Sequence, residues 1–165
     1  MVASPVIKVE RKYGVSVWRN VVIAIVHGDL DATEVRRLGE SYAELSETYP
    51  NGIAGITLLR GSLSVGTKET NAEAQRVLGM LRGSMLHIAV VIENRGFVAQ
   101  LLRSVIRTLN SVGRGKRLSI ATDAEEAVRV IAPHVVSIGS SSVQQLQKEL
   151  LQTIAALAGA IPTSG

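Results

Sequence analysis

Cysteine is absent from the chain, which removes disulfide staples, thiolate nucleophiles and every zinc site that uses sulfur. Nothing in the sequence therefore needs an oxidising compartment. Aromatic residues make up only 3% of the chain, so the core must be built from Val, Ile, Leu and Ala packed in layers rather than from rings. No apolar run reaches the roughly 18 residues of a spanning helix. The opening Met1-Val2-Ala3-Ser4-Pro5 has no charged segment leading into an apolar one, as a signal peptide would. The expected location is cytoplasmic, with no membrane span. Charge of one sign is also scarce: 18 Lys+Arg against 14 Asp+Glu leave +4. What is present is 165 residues, 46% of them hydrophobic, enough for one globular domain that buries about two thirds of its unfolded surface.

Apolar residues alternate or run at Val6, Ile7 and Val9, at Val15 and Val17, and at 21–26, with Tyr13-Gly14 and Arg19-Asn20 as turns. This pattern predicts a hairpin or three short strands. Asp31 then stands as an N-cap with Glu34 three residues on, a capping-box pattern before Val35, Leu38, Tyr42 and Leu45 at helical spacing. Pro50-Asn51-Gly52 stops that helix, and the branched run 53–59 reads as a buried strand. A polar loop over 60–67 leads to a second helix with Ala74, Val77, Leu78 and Leu81. Residues 86–92 form the next strand. Val98, Leu101, Leu102, Val105 and Leu109 predict a third helix, 118–121 a short strand, and Asp123 with Glu126 a second capping box that opens a helix ended by Pro133. The alternation favours an α/β layered domain, a mixed sheet of four to six strands with helices packed on it. A further helix follows the Ser140-Ser141-Ser142 cap. Its stripe of Val143, Leu146, Leu150, Ile154 and Leu157, widened by Leu151, Ala155 and Ala158, must be covered, by its own domain or by a second copy. The predicted division is a domain over 1–134 and, over 135–165, a linker, an amphipathic helix and a short tail.

No catalytic signature survives inspection. His27, Asp29 and Asp31 gather at a strand end, but Asp31 caps a helix and no distal ligand has matched spacing, so no metal is expected. His87 reads as a core or edge histidine and His134 as a helix-end residue suited to the dipole. Gly61-Ser62-Leu63-Ser64-Val65-Gly66 misses the nucleophile-elbow pattern by one position, and Gly61 to Lys68 lacks the glycine before lysine of a Walker loop. That leaves a hydroxyl-rich strand-to-helix loop with backbone N–H groups for an anion or hydroxyls for a kinase. Arg103, Arg107, Arg114, Lys116 and Arg117 are the densest basic stretch, yet no aromatic residue interleaves with them; a solvated face is expected and nucleic acid is not.

The order of these pieces resembles a STAS domain, the module of sulfate transporters and anti-sigma-factor antagonists. The carriers are the apolar run from Val21 into Gly28-Asp29-Leu30-Asp31, the segment from His87 through Phe97 to Leu102, and Leu118 through Asp123 and Glu126 to Ile131. The middle segment is similar to the SpoIIAA-like branch, related to SEC14. The resemblance implies a non-enzymatic signalling or interaction domain without cofactor. It would bind a regulatory protein, a kinase-like partner or itself through the first helix, the loop at 60–70 and the second helix. The implied regulatory residues are Ser62, Ser64, Gly66 and Thr67, with Gly28 and Asp31 at the strand-to-helix turn. Antagonists of this family carry an aspartate before the phosphorylated serine; this chain has Gly66-Thr67 and no aspartate there. The alternative the resemblance leaves open is a small hydrophobic ligand or lipid-binding domain of SEC14-related type.

Overall fold

Branched residues favour the pleated backbone because their side chains pack well on a half-buried surface. In the computed structural model, which describes residues 6–61, 63, 64, 66–93, 100, 103, 107, 117–137 and 142–162, they build β1 (Val6–Val9), β2 (Tyr13–Trp18) and β3 (Val21–Val26). The chain continues through α1 (Ala32–Thr48), β4 (Ile53–Leu59), α2 (Lys68–Leu81), β5 (Met85–Ile92), β6 (Leu118–Ala121) and α3 (Ala124–Ile131). A 3-10 turn over Ala132–His134 precedes α4 (Val143–Ala160). Tyr13 and Gly14, expected as a turn, instead open β2, because they pair with Val26 and Ile25 of β3. Gln100, Arg103 and Arg107 are helical; the rest of the expected third helix lies outside the described residues, as do Ser62, Arg114, Lys116, Ser140 and Ser141.

The sheet has six strands in the order β1-β2-β3-β4-β5-β6. The first two pairings are antiparallel and the last three parallel, so this is the layered α/β architecture with a mixed sheet that the alternation predicts. Because successive side chains leave a strand on opposite faces, each inner strand feeds two cores. One joins Trp18, Ile23, Ile25, Ile56, Leu58 and Val91 to α3 and α4. The other joins Val15, Val22, Ala24 and Val90 to Tyr42 and Leu45 of α1 and Val77 and Leu81 of α2. Burial on both faces explains why β3 is apolar at every position.

Two glycines set the local geometry on the α1 side. Gly52 has φ 124° and turns the chain from α1 into β4, a conformation that glycine adopts without steric cost. Gly55 lets the Tyr42 ring lie against β4: a Cβ there would stand 2.7 Å from the Tyr42 hydroxyl oxygen. Burial pushes the Tyr42 phenol up from its ordinary ionisation range, opposed in part by a hydrogen bond with Thr57.

On the opposite face, α4 packs against its own sheet. Leu146, Leu150, Ile154 and Leu157 are all buried in the core they share with β2, β3, β4 and α3. Of the five residues considered for self-association, Val143 alone is open, at 59% exposure. The stripe is covered from within because burial of each large aliphatic side chain contributes about 1.5–3 kcal/mol, and the exposed sheet face is the nearest apolar surface. Residues 143–160 thus complete the core of the segment before them.

The β2–β3 turn locks this arrangement. Arg19 holds a left-handed φ of 51°, and its guanidinium lies 4.8 Å over the Trp18 ring, donates to the Val136 carbonyl at 3.1 Å and pairs with Glu149 of α4 at 3.6 Å. Asn20 is fully buried. Its Nδ2 donates to the carbonyls of Gly52 at 3.1 Å and His134 at 2.9 Å, and its Oδ1 accepts from the Val136 N–H at 2.8 Å. By contrast, the fully buried Ser16 hydroxyl has no hydrogen-bond partner.

These two polar groups respond to mutation in opposite directions. Asn20→Leu strands three main-chain groups and lowers the unfolding free energy by about 2–4 kcal/mol, whereas Ser16→Ala removes a desolvated hydroxyl and raises it by about 0.5–1.5 kcal/mol. Urea titrations with unchanged slopes measure both; equal effects of the two substitutions would contradict the assignment.

Candidate functional site

In open α/β sheets the carboxyl ends of parallel strands are the usual place for function, since the loops that follow them converge there. Here β3 leaves through His27 and Gly28, the latter half-buried beside the Lys12 side chain. The next residue, Asp29, is exposed and its carboxylate accepts both the N–H and the hydroxyl of Ser64, each at 2.8 Å. This pair clasps the loop after β3 to the loop after β4. Beside it, buried Leu63 anchors the second loop in the α1–α2 core.

Both helices begin beside the clasp with a side-chain cap. Asp31 accepts from the Glu34 N–H at 2.8 Å while the Glu34 carboxylate accepts from the Asp31 N–H at 2.8 Å, the capping box foreseen from spacing. Lys12 pairs with the same Glu34 at 3.2 Å. Thr67 caps α2, its hydroxyl oxygen accepting from the Thr70 N–H at 3.2 Å. The Thr70 hydroxyl reaches the Leu30 carbonyl at 3.4 Å, a second tie between the loops. Gly66 is half-buried and its carbonyl accepts from Asn71 at 3.2 Å. Farther along, Glu73 of α2 accepts from Arg76 at 2.7 Å and from Arg36 of α1 at 3.2 Å. Those hydrogen bonds hold its carboxyl below the usual range.

A different set of groups lies on the α3–α4 side. Main-chain bonds from the Arg60 N–H to the Val26 carbonyl (2.8 Å) and from the Glu93 N–H to the Leu59 carbonyl (3.0 Å) extend the parallel ladder by one residue. They set His27, Arg60 and Glu93 side by side across three strands. Arg60 and Glu93 form an ion pair at 2.7 Å. The His27 Nε2 is buried without a hydrogen-bond partner.

The remaining sequence candidates disperse or find other company. Of the implied regulatory residues, Ser64 and Thr67 come together at the loop surface with Gly66 between them, and Ser62 lies outside the described residues. Asp29 and Asp31 hold Ser64 and the α1 N-terminus respectively, and among the described residues no three His, Asp or Glu side chains are placed to share a metal ion. In the basic stretch Arg103 is half-buried and Arg107 exposed, and Arg117 donates to its own chain's carbonyls at Arg82 and Met85. Gln144, Gln147, Lys148, Leu151, Gln152 and Ala155 line an open depression along α4. No helix among the described residues is long and apolar enough to cross a membrane.

Sequence reasoning weighed Asp29 as a metal ligand and as the variable position of Gly-x-Leu-Asp, and missed its bond to Ser64; the available signal was a short acidic side chain directly after a strand-ending glycine. It also read His87 and His134 separately, although the structure stacks their rings. No family model, curated protein or solved structure matches the chain.

The clasp and the cap separate by experiment. Thr67→Ala costs about 1 kcal/mol of stability through the lost helix cap. Asp29→Ala, at an exposed site, changes global stability by only about 0.5 kcal/mol but accelerates amide exchange at Ser64. Denaturation together with residue-resolved hydrogen exchange reads both; unchanged exchange at Ser64 would dismiss the clasp.

Proposed function

We propose that this chain is a STAS-like, non-enzymatic signalling domain of the cytoplasm that works by binding a regulatory or kinase-like protein. Its contact surface is formed by the joined loops at the starts of α1 and α2. The observation that carries this reading is the Asp29–Ser64 clasp. It makes one pre-ordered surface out of two loops, so a partner meets it without having to order each loop first. Ser64 and Thr67 are exposed on that surface, where a modifying enzyme can reach them.

Electrostatics gives the two hydroxyls different roles. A phosphate on Ser64 would stand beside the Asp29 carboxylate and open the clasp by like-charge repulsion. On Thr67 it would sit at the N-terminus of α2, where the helix dipole favours negative charge, and would alter the surface without unfolding it.

The test begins with a pull-down from the source cell, followed by affinity measurements on the purified partner and sizing of the pure chain. Ser64→Glu weakens that partner by about tenfold or more, equivalent to about 1.4 kcal/mol, and Thr67→Glu weakens it too, while the thermal midpoint falls by no more than the lost Thr67 cap, worth about 1 kcal/mol, accounts for. Wild-type affinity in both variants would overturn the proposed surface.

A further inference from the structure

His87 leaves β5 on the same face as Ala89 and Val91, toward α3 and α4. Its Nε2 lies 2.7 Å from the hydroxyl of Ser119 on β6. Against its ring, the ring of His134 from the 3-10 turn is stacked with centroids 5.5 Å apart and planes within 4°. The main chain at that turn is the part held by Asn20 and Arg19, through the His134 carbonyl and both polar groups of Val136. Beyond it the chain leads to α4. The imidazole pair is therefore a side-chain contact between β5 and the segment that delivers α4 to the sheet.

The geometry points to a pH-sensitive fastening: His87 and His134 hold the 3-10 turn and α4 on the sheet while both rings are neutral, and protonation loosens that segment. Two imidazolium rings at this separation repel one another. The Ser119 hydroxyl can accept one hydrogen bond from a ring but carries no charge to offset either.

Among the described residues, the charged groups of the surrounding elements are bonded elsewhere or face solvent. On α3, Glu126 is bonded to Thr122 and Arg129 is exposed; before β6, Arg117 is on main-chain carbonyls. Arg19 of the β2–β3 turn pairs with Glu149 of α4, where Lys148 is exposed. Burial first, and then the His134 ring, hold His87 below the ordinary histidine value of 6.5. A depressed value in the folded state means that the unfolded chain takes up protons first. The stabilisation is complete above pH 6.5 and is lost as the pH falls through the lower folded value.

Hydrogen exchange on the full chain at about pH 7.5 and about pH 5.5, on either side of the ordinary histidine range and corrected for intrinsic rates, tests the fastening. Protection over 132–137 and 142–160 falls roughly threefold or more on acidification, reversibly, while β3 and β4 keep theirs. His87→Gln and His134→Gln each remove most of this pH dependence. Wild-type protection that does not change with pH, or equal acid sensitivity in both variants, would overturn it. Should the variants fail to fold, NMR titration of the His87 imidazole in the wild type decides: titration below 6.5 that responds to the charge on the His134 ring sustains the proposal, and titration at 6.5 or above ends it.

Discussion

The carboxamide of Asn20 uses its donor group and its acceptor in the buried space beneath a two-residue turn, and the layout of the molecule follows from where its partners come from. Gly52 ends the connection from α1 to β4, while His134 and Val136 flank the exit from α3. An amide withdrawn from water must meet partners or lose the desolvation free energy of each polar atom. The fold therefore brings three segments far apart in sequence to a single point, and Arg19 reinforces it by spanning Trp18, Val136 and Glu149. Both helical layers are referenced to that point: α1 through Gly52, and α3 and α4 through residues 134–136.

From there the strands run toward the opposite end of the sheet, where the loops after β3 and β4 meet. The same periodicity that divides the core into two faces also divides the polar groups at this end. Asp29, Ser64 and Thr67 gather beside α1 and α2, and His27, Arg60 and Glu93 extend the strands on the other side. Capping makes the first group orderly, because Asp31 accepts the Glu34 N–H and Thr67 the Thr70 N–H before any partner arrives.

Local chemistry explains how much was legible in advance. Asp31 with Glu34 announces a helix start because a capping box is closed within four residues. Asp123 also caps its helix by accepting from the Glu126 N–H, but the expected second box stays half-made, since the Glu126 carboxylate accepts from the N–H and hydroxyl of Thr122 instead. The run at 21–26 announces a strand because burial on two faces demands apolar residues without interruption, and the runs at 53–59 and 86–92, whose only polar side chains are those of Thr57 and His87, do so for the same reason. Thr67 was visible as a loop hydroxyl next to a helix for the same local reason. The Asp29–Ser64 bond joins residues 35 apart and the His87–His134 stack residues still farther apart in sequence. No pattern of spacing carries such a pairing; it exists only once strand register has placed the side chains.

The covering of α4 shows where the division falls. Its sequence determined that Leu146, Leu150, Ile154 and Leu157 share one face and that this face must leave water, since helical periodicity and apolar hydration are properties of the segment itself. Whether a second copy or its own sheet would cover that face was decided by the tertiary structure. The sheet leaves Ile23, Ile25, Ile56 and Leu58 on the side that α1 and α2 do not occupy, and α4 closes the core over them together with α3. Asn20 illustrates the same division at the scale of one residue: its sequence position determined a turn, and only the assembled layers decided that its amide would join three segments, because a buried hydrogen bond depends on what arrives beside it.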